Sequence, residues 1–243
     1  MLIHEKAPFM RGSLLLISFL VLFFILLTPV MRDENGNHLT GLQYADNVFN
    51  ELSKGSSYFI PTVRKSLDTV NGKVVTVSVA LKKADLTPIA VMALQKSGAS
   101  DVREENGKVT FTGDLGKILT SATDDADHLY HNQAEPVSQK YNGENALKVT
   151  SAWWYTLSPA IKELQKQRLI PEAQVVDQVL RRAIEPGNNF FSVTPARVAD
   201  HIWLLVAMLL FYIIYTLWYG FAIFELFEGI GLAMTKSKVK QES

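Results

Sequence analysis

The densest run of side chains able to do chemistry is Asp124-Asp125-Ala126-Asp127-His128-Leu129-Tyr130-His131. On a helix Asp124, Asp127, His128 and His131 fall at i, i+3, i+4 and i+7 and so share one face. Two carboxylates and two imidazoles in that arrangement suit zinc, or a redox metal with affinity for imidazole. The opposite face carries Leu115, Ile118, Leu119, Ala122, Ala126 and Leu129, an apolar stripe fit for a core. The same pattern describes a plain solvated face, because charges belong opposite a core stripe and His near a helix C-terminus is favoured by the dipole. The solvated face is the expectation and the metal site its alternative. No other cofactor is expected. Asp125 lies off this face and is expected to add only charge.

Other chemistries are poorly provided for. The 243 residues contain no Cys, which rules out disulfides, Cys-ligated zinc and iron–sulfur clusters. No G-x-G-x-x-G, Walker A, H-E-x-x-H or G-x-S-x-G run is present. His4, His38 and His201 lie close to apolar segments, and no nucleophilic triad is readable. Lys plus Arg and Asp plus Glu balance at 24 each, so no net field points to nucleic acid. Trp153-Trp154-Tyr155 is a dense aromatic patch. Adjacent helical residues point about 100° apart, so one Trp can be core and the other not. Trp154 is expected in the core. Trp153 is expected outside it, to stack on a sugar, meet a partner or cap the core.

Two long apolar runs bracket the chain. Residues 13–31 form an uncleaved signal anchor in this reading, with Lys6 and Arg11 in a short cytoplasmic segment, residues 1–12. The second run, Ile202–Met234, exceeds the ~20 residues a bilayer core needs, so it must tilt, protrude or break. Residues 202–224 are taken as the span. Residues 225–243 are an interfacial segment and a tail with Lys236, Lys238 and Lys240. Basic residues outside both runs place both termini in the cytoplasm and residues 32–201 on the far side, across a bacterial inner membrane. The second run carries more than an anchor requires. Tyr212, Tyr215, Thr216, Trp218, Tyr219, Gly220, Glu225 and Glu228 are expected to meet a partner helix, with Thr216 and Gly220 as a small-residue notch.

The fold class expected is α+β, with two transmembrane helices bracketing one extracytoplasmic domain. In residues 32–131, Thr40 and Gln43 form a capping box that opens a helix. A short helix follows from Pro61. Lys73–Leu81 alternates as a half-buried strand, Thr87-Pro88 opens a helix closed at Gly98, and Asp101–Gly113 reads as a hairpin. Asp114 caps the helix Leu115–His131. The stretch Pro88–His131, through its NGKVTFTG hairpin run, resembles the BON-type envelope domain, a small αβαββ unit; no function is carried over from it. Asn132–Asn145 is a turn-rich linker. Residues 146–200 are helical: one helix has a seam of Leu147, Trp154, Leu157, Ile161 and Leu164, with Pro159 to kink or divide it. A second starts at Pro171 and stops at Glu185-Pro186-Gly187. A last one, capped by Thr194-Pro195, runs into the second span.

The functional expectation is a non-catalytic accessory or scaffolding subunit of a membrane or envelope assembly, with an integral membrane or envelope protein as partner or with copies of itself. The alternatives are an extracytoplasmic ligand- or metal-binding module serving a membrane partner, and a membrane-anchored hydrolase whose site has no recognised motif.

Overall fold

The computed structural model describes residues 3–33, 36–105 and 107–232. Asn106 of the hairpin turn, the end of the second apolar run at Met234 and the basic tail Lys236, Lys238 and Lys240 lie outside the described residues. In chain order the elements are α1 (Lys6–Leu27), β1 (Met31–Arg32), β2 (His38–Leu39), α2 (Gly41–Ser56), α3 (Ile60–Leu67), β3 (Val74–Ala80), α4 (Thr87–Lys96), β4 (Ser100–Glu105) and β5 (Lys108–Asp114). Then follow α5 (Leu115–Tyr130), α6 (Ala134–Lys140), α7 (Ala146–Lys166), α8 (Ile170–Val179), a π-turn (Leu180–Ile184), α9 (Glu185–Asn189) and α10 (Ile202–Gly229). The architecture is mixed α+β, mostly helical, with a small sheet and two apolar helices. It divides into two compact units, residues 1–49 with 196–243, and residues 50–195.

The first unit is built on α1 and α10, of 22 and 28 residues, both long and apolar enough to cross a membrane. They pair antiparallel. Phe19 stacks on Tyr215 at 4.4 Å between ring centroids and meets Tyr219 at 5.1 Å. Trp218 Nε1 donates to the Leu15 carbonyl at 3.2 Å, and Arg11 Nε meets Glu225 at 3.0 Å. The N–H groups of His4 and Glu5 both donate to the Gly229 carbonyl, at 2.9 and 3.0 Å. Close approach depends on two glycines. A Cβ on Gly12 would lie 2.7 Å from the Leu226 nitrogen, and one on Gly229 2.6 Å from the Phe9 Cβ. Small residues at the crossing are what let apolar helices associate where burial of apolar surface gives no drive. The capping box forms as the sequence indicates: the Thr40 N–H donates to Gln43 Oε1 at 2.9 Å, and the Gln43 N–H to Thr40 Oγ1 at 3.2 Å.

The second unit has its sheet in the order β3-β5-β4, antiparallel throughout. Val75, Val77 and Val79 are buried on one face and pair with Gly113, Phe111 and Val109. The outer face carries hydroxyl pairs, Thr76 with Thr112 at 2.9 Å and Thr110 with Ser78 at 2.8 Å, where water would otherwise meet the sheet. Edge strand β4 exposes charged residues, which discourages pairing with another chain. Asp114 caps α5 by accepting from the N–H of Gly116 at 2.9 Å and of Lys117 at 3.4 Å, and it also accepts from the N–H of Gly72 at 3.1 Å.

Five helical expectations are corrected. The linker Asn132–Asn145 contains a helix, α6, whose Val137 is buried. Helix α7 runs unbroken through Pro159. Its buried seam is Val149, Trp153, Leu157, Ala160 and Leu164, rotated from the one read in the sequence; Leu147, Trp154 and Ile161 are only partly buried. The helix begun at α8 passes Glu185-Pro186-Gly187 instead of stopping there. The wide π-turn carries the chain past Pro186, with the Glu185 N–H bonding back to the Leu180 carbonyl. Gly187 is there for contact, since a Cβ would fall 2.5 Å from the Ala126 carbonyl oxygen on α5. Finally, Thr194-Pro195 caps no helix; a short 3-10 turn, Val198–His201, precedes α10.

Candidate functional site

Asp124, Asp127, His128 and His131 do share the outward face of α5, and with Arg64 and Gln133 they line one cavity of about 250 Å3. Arg64, from α3, reaches both carboxylates, Nη1 to Asp124 at 2.5 Å and Nη2 to Asp127 at 3.0 Å. Tyr58 donates its hydroxyl to Asp127 at 3.0 Å, and burial followed by this bond raises the Tyr58 pKa. His131 Nδ1 lies 3.1 Å from the same carboxylate, and His128 Nδ1 3.1 Å from Gln133 Oε1. Among the described residues no group of three or more His, Asp or Glu is arranged to hold a metal ion. As it stands, the face is an ion-pair cluster centred on a guanidinium. Arg64 lies far from α5 in sequence, and no local spacing announces it.

Asp125 is a correction of a different order. It is 1% exposed and accepts three strong hydrogen bonds, from Lys140 Nζ at 2.7 Å, the Tyr141 hydroxyl at 2.6 Å and Trp153 Nε1 at 2.8 Å. Far from adding only surface charge, it joins α5, α6 and α7. Burial and the Asp125 charge push the Tyr141 hydroxyl far above its ordinary range, so it stays a proton donor at any working pH. Trp153 is therefore the inner tryptophan, because its N–H finds a carboxylate inside. Trp154 is the half-exposed one, the reverse of the expectation. Lys140 also donates to Ser121 Oγ at 2.9 Å, beside a cavity of about 490 Å3 rimmed by Arg64, Lys96 and Lys117. A lysine paired to a buried carboxylate is an ammonium and gives Ser121 no base, so this contact is not a nucleophile–base pair.

A buried lysine pairs with no carboxylate among the described residues. Lys54, 3% exposed, donates to Asn132 Oδ1 and the Phe190 carbonyl, both at 2.9 Å, and to the Val193 carbonyl at 2.7 Å. The Tyr130 ring lies 5.3 Å from its nitrogen, and the Tyr130 hydroxyl donates to the Lys54 carbonyl. Burial lowers its pKa. No local signal in the sequence announces Lys54 as a buried donor, because its partners are mostly backbone oxygens.

The eight α10 residues expected to meet a partner helix divide in two. Tyr215, Trp218, Tyr219 and Glu225 are engaged by α1 of the same chain. Tyr212, Thr216, Gly220 and Glu228 are exposed, and a Cβ at Gly220 would touch nothing. Thr216, Leu217, Gly220, Phe221 and Phe224 line an open groove of about 290 Å3 on that side. No protein-family model, no curated protein and no solved structure matches this chain, the local likeness of Pro88–His131 to a BON-type unit included.

Proposed function

We propose that the protein is a non-catalytic accessory or scaffolding subunit of a membrane or cell-envelope assembly. In this reading α1 and α10 cross the inner membrane of a bacterium as a hairpin, both termini are cytoplasmic, and the domain between them lies outside. One observation carries it: α10 satisfies α1 on one side and keeps a second side, around Thr216 and Gly220, small, open and apolar. An anchor needs only apolar length, whereas a side with a notch admits the close packing on which helix association in lipid depends. The occupant proposed is a transmembrane helix of another protein.

The experiment is recovery of the tagged full-length chain from membranes in mild detergent. The expected result is a stoichiometric integral membrane protein that is lost with Gly220→Leu while the hairpin and the domain stay folded. Replacing residues 202–234 by polyleucine of matched length is the sharper control. Retention of every partner and of full activity by that variant would make the second span an anchor and move recognition to the domain. Recovery of only a second copy of the chain would make the side a homo-oligomer contact.

A further inference from the structure

The aromatic patch of α7 lies in the second unit and owes nothing to the membrane reading. With Trp153 turned inward, Trp154 and Tyr155 stand half-buried between two cavities and line both. The larger, about 270 Å3, is also lined by Lys83, Thr150, Glu185 and Asn188. The smaller, about 200 Å3, is bounded by Lys82, Ser158, Pro159 and Lys162. Because Trp154 and Tyr155 line both, the two cavities adjoin along these rings, and we refer to them together as one groove with the rings as its ridge.

We propose that this groove binds a carboxylate-bearing oligosaccharide, with one sugar ring on each side of the ridge. A pyranose has an apolar C–H face and a rim of hydroxyls, and it needs an aromatic plane beside fixed donors and acceptors. The groove provides both. One end of the Asn188 amide is fixed by the hydroxyl of Thr150, fully buried, at 3.0 Å. The other end has no partner among the described residues. Pro159 has no N–H, so the Tyr155 carbonyl does not receive the helix bond residue 159 would otherwise give. In the proposed complex that carbonyl accepts from a sugar hydroxyl. The π-turn Leu180–Ile184 leads into α9, which contributes Glu185 and Asn188 to the lining, and such wide turns are frequent at functional sites. Charge selects the class of sugar. Lys82, Lys83 and Lys162 have no carboxylate partner among the described residues, and Lys83 Nζ sits 5.2 Å from the Tyr155 ring centroid. Glu185 is the single acid among the residues bounding either cavity.

The test is calorimetric titration of the full-length protein in lauryldimethylamine oxide, since maltoside and glucoside headgroups would compete for the groove. The probes are hyaluronan tetrasaccharide, tetragalacturonate and neutral maltotetraose. The expected result is saturable binding of at least one acidic probe, about tenfold or more tighter than maltotetraose. Trp154→Ala is expected to weaken that binding about tenfold or more. Because that truncation also touches packing, the exposed pair Lys82→Gln with Lys162→Gln provides a second reading: it should leave the melting temperature unchanged and abolish the preference for the acidic probe. Absence of saturable binding by both acidic probes would overturn the proposal, as would binding that neither variant alters. A protein captured through Trp154, with no saccharide bound in its absence, would overturn it in favour of a protein-docking surface.

Discussion

At the scale of single residues, the most consequential side chain is a buried carboxylate. Asp125 holds three donors from two other helices, and each would be orphaned or left charged without it. Asp125→Asn keeps the shape but leaves the Lys140 ammonium beside a neutral amide. Removing one member of a buried pair costs about 3 kcal/mol or more. The lower value is expected here, because Lys140 is 34% exposed and partly solvated. Urea unfolding of the intact protein, followed through its tryptophans, measures it. The Arg64 cluster leads to a different expectation. A metal at Asp124, Asp127, His128 and His131 would have to displace the guanidinium from both carboxylates. Arg64→Ala is therefore expected to raise the affinity for zinc at this face, read as a zinc-dependent rise in melting temperature absent from the wild type. A stoichiometric metal in the purified wild-type protein, lost with His128→Ala and His131→Ala, would instead establish the metal site. The sequence made the α5 face legible, because helical spacing alone puts those four residues together. It could not supply Arg64, which arrives from another helix, nor reveal that Asp125 points inward, since that depends on what α6 and α7 bring to meet it.

At the scale of elements, Lys54 joins the last turn of α2 to the segment Phe190–Val193. These are the parts of the chain that enter and leave the second unit. Lys54→Met preserves much of the apolar stem and removes one of the two donors to each of the Phe190 carbonyl, the Val193 carbonyl and Asn132 Oδ1. Each acceptor keeps its second donor, so the loss is one of net hydrogen bonds, and about 1–2 kcal/mol is expected. Amide hydrogen exchange should rise at residues 190–193 before it rises in β3 or β5. Unchanged protection there would show the clasp to be dispensable. Local patterning read most elements correctly. The capping box at Thr40 and Gln43, the alternation of β3, the hairpin and the Asp114 cap all act within a few residues of themselves. The failures fall where tertiary contact overrides local rules. Pro159 breaks nothing because α7 packs along its length, and Glu185-Pro186-Gly187 stays helical because a π-turn absorbs the proline and Gly187 meets α5.

At the scale of the whole molecule, the chain has a small α+β unit that in sequence falls between two helices long enough to cross a membrane. The orientation proposed for it is open to a direct measurement, because the chain contains no Cys. Single cysteines at Gly107 and Ser237 should react differently with an impermeant thiol reagent on spheroplasts. Gly107→Cys is expected to be labelled, and Ser237→Cys only after the membrane is broken. Labelling of Ser237→Cys alone would invert the topology, and a mature N-terminus near Arg32 would remove α1 from the final protein.

What the sequence determined by itself are the properties set by runs and periods. Two apolar stretches of sufficient length, an alternating strand, a helix with an acidic face and the absence of every Cys-dependent chemistry are all written in neighbouring residues. What the tertiary structure alone decided is which side of each element faces inward. The exchange of Trp153 and Trp154 shows why. Both are apolar enough for a core, and their order was settled by Asp125, whose carboxylate accepts the Trp153 N–H and so makes its burial favourable. In the same way Gly12 and Gly229, unremarked in the sequence, became the crossing point of α1 and α10, while the notch at Thr216 and Gly220 stayed open. A hydrogen bond or a close contact between distant segments depends on both partners arriving, and no window of sequence contains them together.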